Sequence, residues 1–287
     1  MTAPLTHRAA LALATHRLEL ADLEAAAHDA VALLAHVLGR RRAEVLLDDT
    51  APLSPEVAAR LSRLVERRAR REPLQHMIGS VGFHDVVLNV DRRALIPRAE
   101  TETLVCAVLD WLERGAVSRP RILDLGTGTG AIAIAIANAA PGSRVVASDV
   151  SRDAAELARV NVTRSATTQS VALVVGDWLA PFRAGADFDV IVSNPPYVTT
   201  EELASLAPEV RDHDPRRALD GGSDGLGPYR VICDAAARHL RRAGLLAFEV
   251  AADRPGPVME LVAHAGFRRI ECREDLGGRP RVVLGER

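Results

Sequence analysis

The sequence predicts an α/β chain: a mostly parallel sheet with helices on both faces, preceded by a small all-helical region and a β-hairpin. Three observations predict it. From Arg121 onward, short β-rich runs alternate with helical stretches, the rhythm of βαβ units. The first 75 residues carry apolar side chains at helical spacing. Between them lies a Gly-punctuated segment in which Val86, Leu88 and Val90 alternate.

Taken in order, residues 21–38 place Ala30, Leu33, Leu34, Val37 and Leu38 on one helical face, and Gly39 supplies a stop. A second helix opens at Ser54, a side chain suited to cap it, with Pro55 in its first turn. Val57, Leu61, Leu64 and Val65 line its apolar face, and it ends in the basic run 67–71. Residues 76–98 read as a β-hairpin linker and 99–287 as the α/β domain, entered through a helix over 101–112. Six runs read as strands: RILDLG, RVVASD, VALVVGD, DVIVSN, LLAFEV and RVVLG.

Composition narrows the function. A length of 287 residues suits a large core with a smaller appendage. Apolar residues make up 48% of the chain but aromatics only 3%, so Ala, Leu and Val must build the interior. A formal charge of −2 lacks the basic excess of a nucleic-acid binder, and no direct nucleic-acid partner is expected. Every basic side chain apart from the histidines is Arg, which removes lysine-nucleophile chemistry. Arg40 to Arg42 and Arg67 to Arg71 stand near helix ends, where solvated arginines favour the helix dipole.

Cys106, Cys233 and Cys272 are widely separated without C-x-x-C spacing, and the nine histidines show no H-x-x-x-H pattern. Neither a disulfide framework nor a metal site is expected. The first twenty residues interrupt their apolar positions with His7, Arg8, His16 and Arg17, so neither a signal core nor a membrane span is expected, and the chain should stay in the cytoplasm.

The chemistry concentrates where strands end. The first strand of the α/β domain runs into Gly126, Thr127, Gly128, Thr129 and Gly130, a turn whose glycines let the backbone approach an adenosyl ligand. Gly126, Gly128 and Ala131 also satisfy a dinucleotide pattern, so a nicotinamide or flavin stays open here. Asp149 ends the second strand, placed to accept ribose hydroxyls, with Ser151 to cap the next helix. Asp177 and Trp178 follow the third strand, one able to accept from an adenine amino group and the other to cover its face.

Asn194, Pro195, Pro196 and Tyr197 follow the fourth strand and select the reaction. The two prolines stiffen the backbone, so the Asn194 amide oxygen and the Pro195 carbonyl form two fixed acceptors, with Tyr197 as a flat platform beside them. Two acceptors match the two hydrogens of one NH₂ group. Holding both biases a conjugated nitrogen toward the pyramidal form that attacks a methyl donor, and orientation does much of the rest.

The combination of DLGTGTG, an acidic second-strand end, GDW and NPPY resembles the release-factor glutamine methyltransferases, known as PrmC or HemK. The likeness extends over nearly the whole chain: IPRAETE at 96–102, PLQHMIG with Phe83, and further Gly- and Asp-containing positions from Asp214 to Leu226. Ala99 stands where the family usually has a second proline, and EVAADRP at 249–255 replaces a more usual E-I-G segment.

The resemblance implies a Rossmann-like class I methyltransferase with a seven-stranded sheet, S-adenosyl-L-methionine as cofactor, and N5-methylation of the Gln in the Gly-Gly-Gln motif of class-1 peptide chain release factors. It places cofactor contacts on Gly126 to Gly130, Asp149, Trp178 and Asn194, and substrate contacts on Asn194 to Tyr197. It gives residues 1–75 the task of helping to hold the release factor. Ribosomal-protein glutamine methylation and exocyclic-amino methylation of adenine or guanine are alternatives within the enzyme class. A nicotinamide oxidoreductase and a non-catalytic binding module are alternatives outside it.

Overall fold

The structure is a computed structural model describing residues 5–115, 117–185 and 188–287. Its contacts divide the chain into two units, one running up to Gly79 and including Pro208–His213, the other holding Ser80–Ala207 and Asp214–Arg287. Among the described residues no helix is long and apolar enough to cross a membrane.

The first unit is built from α1 (His7–Glu19), α2 (Ala26–Leu38), α3 (Arg42–Leu47), α4 (Pro55–Ala69) and α5 (Leu74–Ile78). The helix expected over 21–38 is shorter, starting at Ala26, with a separate α1 before it. Asp22 turns the chain between them with a φ of 55°. The sequence reading missed α1 because its buried stripe is Ala10, Ala14 and Leu18, too alanine-rich to show a period. Ser54 caps α4 by accepting from the Val57 amide, and Gly39 ends α2 in the left-handed region. Leu18, Leu33, Leu34, Val45, Leu61 and Val65 fill the core. Within the same unit Arg68 is buried and donates to Asp29 at 2.7 Å and to Glu209 at 3.1 Å.

The second unit opens with an antiparallel hairpin, β1 (Ser80–Phe83) and β2 (Val86–Asn89), narrower than the segment read as a hairpin from sequence. Its end is fastened by the buried Asn161 side chain, which accepts from the Asn89 amide and donates to the Asn89 and Thr129 carbonyls. The chain continues through α6 (Thr101–Gly115), β3 (Arg121–Leu125), α7 (Ala131–Ala139), β4 (Arg144–Asp149), α8 (Arg152–Arg164), β5 (Val171–Val175) and β6 (Phe188–Ser193). It then passes α9 (Pro208–Arg211), which belongs to the first unit, and closes with α10 (Gly227–Ala236), β7 (Leu240–Glu249), α11 (Pro255–His264), β8 (Arg268–Glu274) and β9 (Pro280–Glu286).

These strands form one seven-stranded sheet in the order β5-β4-β3-β6-β7-β9-β8. The first five are parallel, and β9 runs antiparallel to both neighbours. One face packs on α6 and α7, the other on α10 and α11. Coverage on both faces is why β3, β6 and β7 read as continuous apolar runs. The exposed edge strand β8, RRIECRE, has no such signature and was not legible. Strand order reverses between β3 and β6, so the crevice beyond their C-terminal ends is where a ligand is expected.

Candidate active site

Beyond the C-terminal ends of β3 to β6 lies a cavity of about 560 Å³, within the usual range for a cofactor pocket. Gly126, Thr127, Gly128, Thr129, Asp149, Asp177, Trp178, Asn194 and Pro196 all line it. Three residues singled out in the sequence do not. Gly130 ends the loop in the left-handed region, where a Cβ would stand 3.3 Å from Ile134 and 3.4 Å from Ala158. Pro195 is buried, and Tyr197 packs into the core beside α10 and α11.

The glycine loop is anchored from beneath. The amides of Gly126 and Thr127 both donate to the Ser148 carbonyl at 2.9 Å, tying the loop to β4. The Thr127 hydroxyl donates at 2.6 Å to Asp124, which is wholly buried at the end of β3. Burial pushes the Asp124 carboxyl up to about 7, against the opposing hydrogen bonds of Thr127 and the Ala133 amide. Gly126 holds a φ of 71°, which favours glycine, and the Trp178 indole lies alongside it, 3.6 Å from where a Cβ would stand.

Asp149 knits the loop from the side. One carboxylate oxygen accepts from the Gly128 amide at 2.9 Å and the other from the Ser151 amide at 2.8 Å. Each oxygen keeps a further lone pair that a ribose hydroxyl can reach from the cavity. Asp177 is exposed and Trp178 half-buried, so a flat ring is bordered by one polar and one aromatic side chain.

Asn194 directly follows β6, whose last residue, Ser193, donates to the Leu125 carbonyl and locks this strand end to β3. The Asn194 amino group donates to the Thr101 hydroxyl at 3.3 Å. Among the described residues no donor reaches Asn194 Oδ1 or the Pro195 carbonyl, which leaves two acceptors on consecutive residues. Burial pushes the Tyr197 phenol up to about 12, so it stays neutral.

Four residues that the sequence reading gave no role also converge here. Thr101 lines the cavity, Asp124 holds the loop, Glu249 is buried beside Asn194, and Arg254 donates to the Tyr197 carbonyl at 3.3 Å. Two signals were present: Asp124 directly precedes the loop's Leu125 and Gly126, and Glu249 ends a strand as Asp149 does. Among the described residues no group of three His, Cys, Asp or Glu is placed to hold a metal.

Comparison with known proteins adds independent observations. Residues 9–79 match the PrmC N-terminal domain and residues 106–214 the methyltransferase small domain. The release factor glutamine methyltransferase of Caulobacter vibrioides is 40% identical over 274 residues, covering 95% of this chain and 93% of its own. That of Deinococcus radiodurans is 42% identical over 277 residues, covering 96% and 97%. Among solved structures, a methyltransferase from Pyrococcus furiosus superposes with a TM-score of 0.50 at 19% identity, over 69% of this chain and 87% of that one. The hMettl16 catalytic domain, in complex with MAT2A 3'UTR hairpin 6, reaches 0.54 at 16% identity over 69% and 74%. At such low identity these two establish the fold alone.

Proposed function

We infer that this chain, which belongs to the release factor glutamine methyltransferase family, transfers a methyl group from S-adenosyl-L-methionine to the side-chain nitrogen of the Gln in the Gly-Gly-Gln motif of class-1 peptide chain release factors. The observation that carries the chemistry is the pair of acceptors on the consecutive residues Asn194 and Pro195 that no donor among the described residues reaches, with Asn194 itself lining the cavity of the glycine loop.

The residues present fit the cofactor. The cavity has the volume, the three left-handed glycines of the loop keep its backbone accessible, and Asp149 retains acceptor capacity after its two amide bonds. When bound, S-adenosyl-L-methionine supplies an electrophilic methyl on sulfur. Asp149 would accept from its ribose hydroxyls, Asp177 and Trp178 would take its adenine, and Gly126 to Thr129 would hold its adenosyl group.

The protein's own task at the nitrogen is electrostatic and geometric. Asn194 Oδ1 and the Pro195 carbonyl each accept one hydrogen of the glutamine amide, drawing the nitrogen out of conjugation and aiming its lone pair. No general base is needed, because nitrogen acidifies as its bond to carbon forms and the product can shed a proton to water. Tyr197, neutral and packed in the core, stiffens the loop from behind. The helical unit matching the PrmC N-terminal domain is assigned to holding the release factor.

The test is mass spectrometry of a purified class-1 release factor incubated with the protein and S-adenosyl-L-methionine. A mass gain of one methylene, mapped by tandem fragmentation to the Gln of Gly-Gly-Gln, is expected. An unmodified factor, with methyl appearing on a ribosomal protein in a parallel incubation, would overturn the substrate.

A further inference from the structure

An asparagine can clamp an amide only if its own amide is the right way round. Rotating the Asn194 side-chain amide by half a turn exchanges its carbonyl oxygen for its amino group, nearly without change of shape, and would set donor against donor at the substrate. The orientation must therefore be fixed by what stands behind it.

Behind Asn194 stand two side chains from different elements. Thr101, 4% exposed at the start of α6, accepts from the Asn194 amino group at 3.3 Å. Glu249, 2% exposed, ends β7, close enough to Thr101 and Asn194 that both side chains favour its ionised form. Sheet register explains the meeting: Ser193 pairs with Phe248, so Asn194 and Glu249 lie side by side just past the paired ends of adjacent strands. Among the described residues the second oxygen, Oε2, has no partner.

We propose that Thr101 and Glu249 are positioning residues: together they hold the Asn194 amino group inward, so that its carbonyl oxygen faces the reacting amide. This rests on the reading of Asn194 as the glutamine clamp. An ionised carboxylate has no hydrogen to offer, so only the amino end of Asn194 can face it. A protonated carboxyl carries a donor that can satisfy the Asn194 carbonyl instead, which admits the unproductive orientation. Burial in an almost water-free position with one oxygen unpartnered is costly for a group that merely fills space, since a methionine would fill it without that cost.

The other groups around Glu249 leave this assignment intact. Arg281 of β9 favours the ionised form and Glu100, in the turn before α6, disfavours it. Tyr229 of α10 donates to the Glu249 main-chain carbonyl at 2.8 Å, not to its carboxyl, and Tyr197 is held neutral. Burial, the largest influence, raises the carboxyl to about 7, so its ionisation falls within the range where activity is measured.

The experiment compares wild type with Glu249→Gln, Glu249→Met, Thr101→Val and Thr101→Ser, reading kcat, KM for the release factor and cofactor Kd between pH 6 and 9, with thermal melts to confirm folding. Expected is a fall in kcat of about 10- to 100-fold for Glu249→Gln, with cofactor Kd and KM within about 3-fold, because misorientation acts on the reacting complex. Wild type should show an acid limb near pH 7, and that limb should disappear in the variant. Thr101→Ser should keep most of the activity that Thr101→Val loses. A wild type that does not methylate the release factor overturns the glutamine reading and the inference with it. A wild type that does, alongside folded Glu249→Gln or Glu249→Met variants with unchanged kcat and acid limb, overturns the positioning role alone.

Discussion

Gly221 offers a direct test of how tightly the Asn194 loop must be held. A Cβ added there would stand 2.8 Å from the Pro196 carbonyl oxygen and 2.9 Å from the Tyr197 Cα, both backbone atoms that cannot swing aside. Ordinary contact begins at 3.4 Å, so Gly221→Ala must open the gap by 3.4 − 2.8, or about 0.6 Å, through a main-chain shift of the loop carrying the two acceptors. Displacements approaching 1 Å at a reacting centre cost up to about 100-fold, so the variant should lose between about 10- and 100-fold in kcat. Gly222→Ala is the internal control. Its φ of 91° strains an alanine by roughly 1–2 kcal/mol, yet nothing lies within 4 Å of the new methyl. The assay is steady-state methylation of the release factor, with cofactor Kd by calorimetry and urea melts. Gly221→Ala should be slow with near-normal Kd, and Gly222→Ala less stable but active. Equal losses of kcat in both, or none in Gly221→Ala, would refute the claim that contact with Pro196 and Tyr197 sets the clamp.

Asn194→Ala removes one of the two acceptors and should collapse methyl transfer while leaving cofactor Kd within a few-fold; normal turnover would remove Asn194 from the mechanism. Glu249→Gln should also change stability with pH. The folded carboxyl sits at about 7 against an ordinary 4.5, so the folded state binds the extra proton and wild-type stability falls as pH rises through that window. The variant should therefore gain up to roughly 3 kcal/mol at pH 8 and nothing at pH 4, and a pH-independent difference in thermal melts would contradict the titration. In the helical unit, Arg68→Ala takes the guanidinium from the buried Asp29 carboxylate, which keeps only His28 at 3.2 Å, while Glu209 keeps Arg71 at 3.0 Å, with an expected cost of about 3 kcal/mol in urea denaturation. A loss below about 1 kcal/mol would show that water reaches those carboxylates.

The parts of the molecule legible in the sequence are those whose signal is contiguous. Strands with a contiguous aliphatic run, β3 to β7 and β9, could be read directly, whereas exposed β8 and alanine-lined α1 could not. The cavity-lining residues of the glycine loop, Asp149, Trp178 and Asn194 were visible for a related reason: each sits at or just past a strand end, so spacing along the chain is enough to suggest them. Thr101 and Glu249 were not, because their meeting with Asn194 depends on sheet register and on where α6 starts. Tyr197 shows the opposite limit. Proximity in sequence suggested a platform at the ligand, and the ring, partly buried, packs against the apolar cluster to which α10 and α11 contribute.

The two departures from the family pattern can be followed into the structure. Ala99 is exposed in the turn before α6, and its carbonyl accepts from the Glu102 amide, a bond that a proline at this position would leave in place. What is given up is stiffness at the helix entry. The 249–255 segment matters more, because it brings Arg254 against the back of the acceptor loop. One guanidinium nitrogen donates to the Tyr197 carbonyl, and the other pairs with Glu202, whose carboxylate also accepts from the Thr199 amide and hydroxyl. Gly225 approaches the same carbonyl closely from the other side. Glu202 is too open to water for the pair to contribute much stability. Its effect is directional: the Tyr197 carbonyl is held from outside the cavity, so the chain that begins with the Asn194 and Pro195 acceptors is braced at its far end by a residue of the departing segment itself.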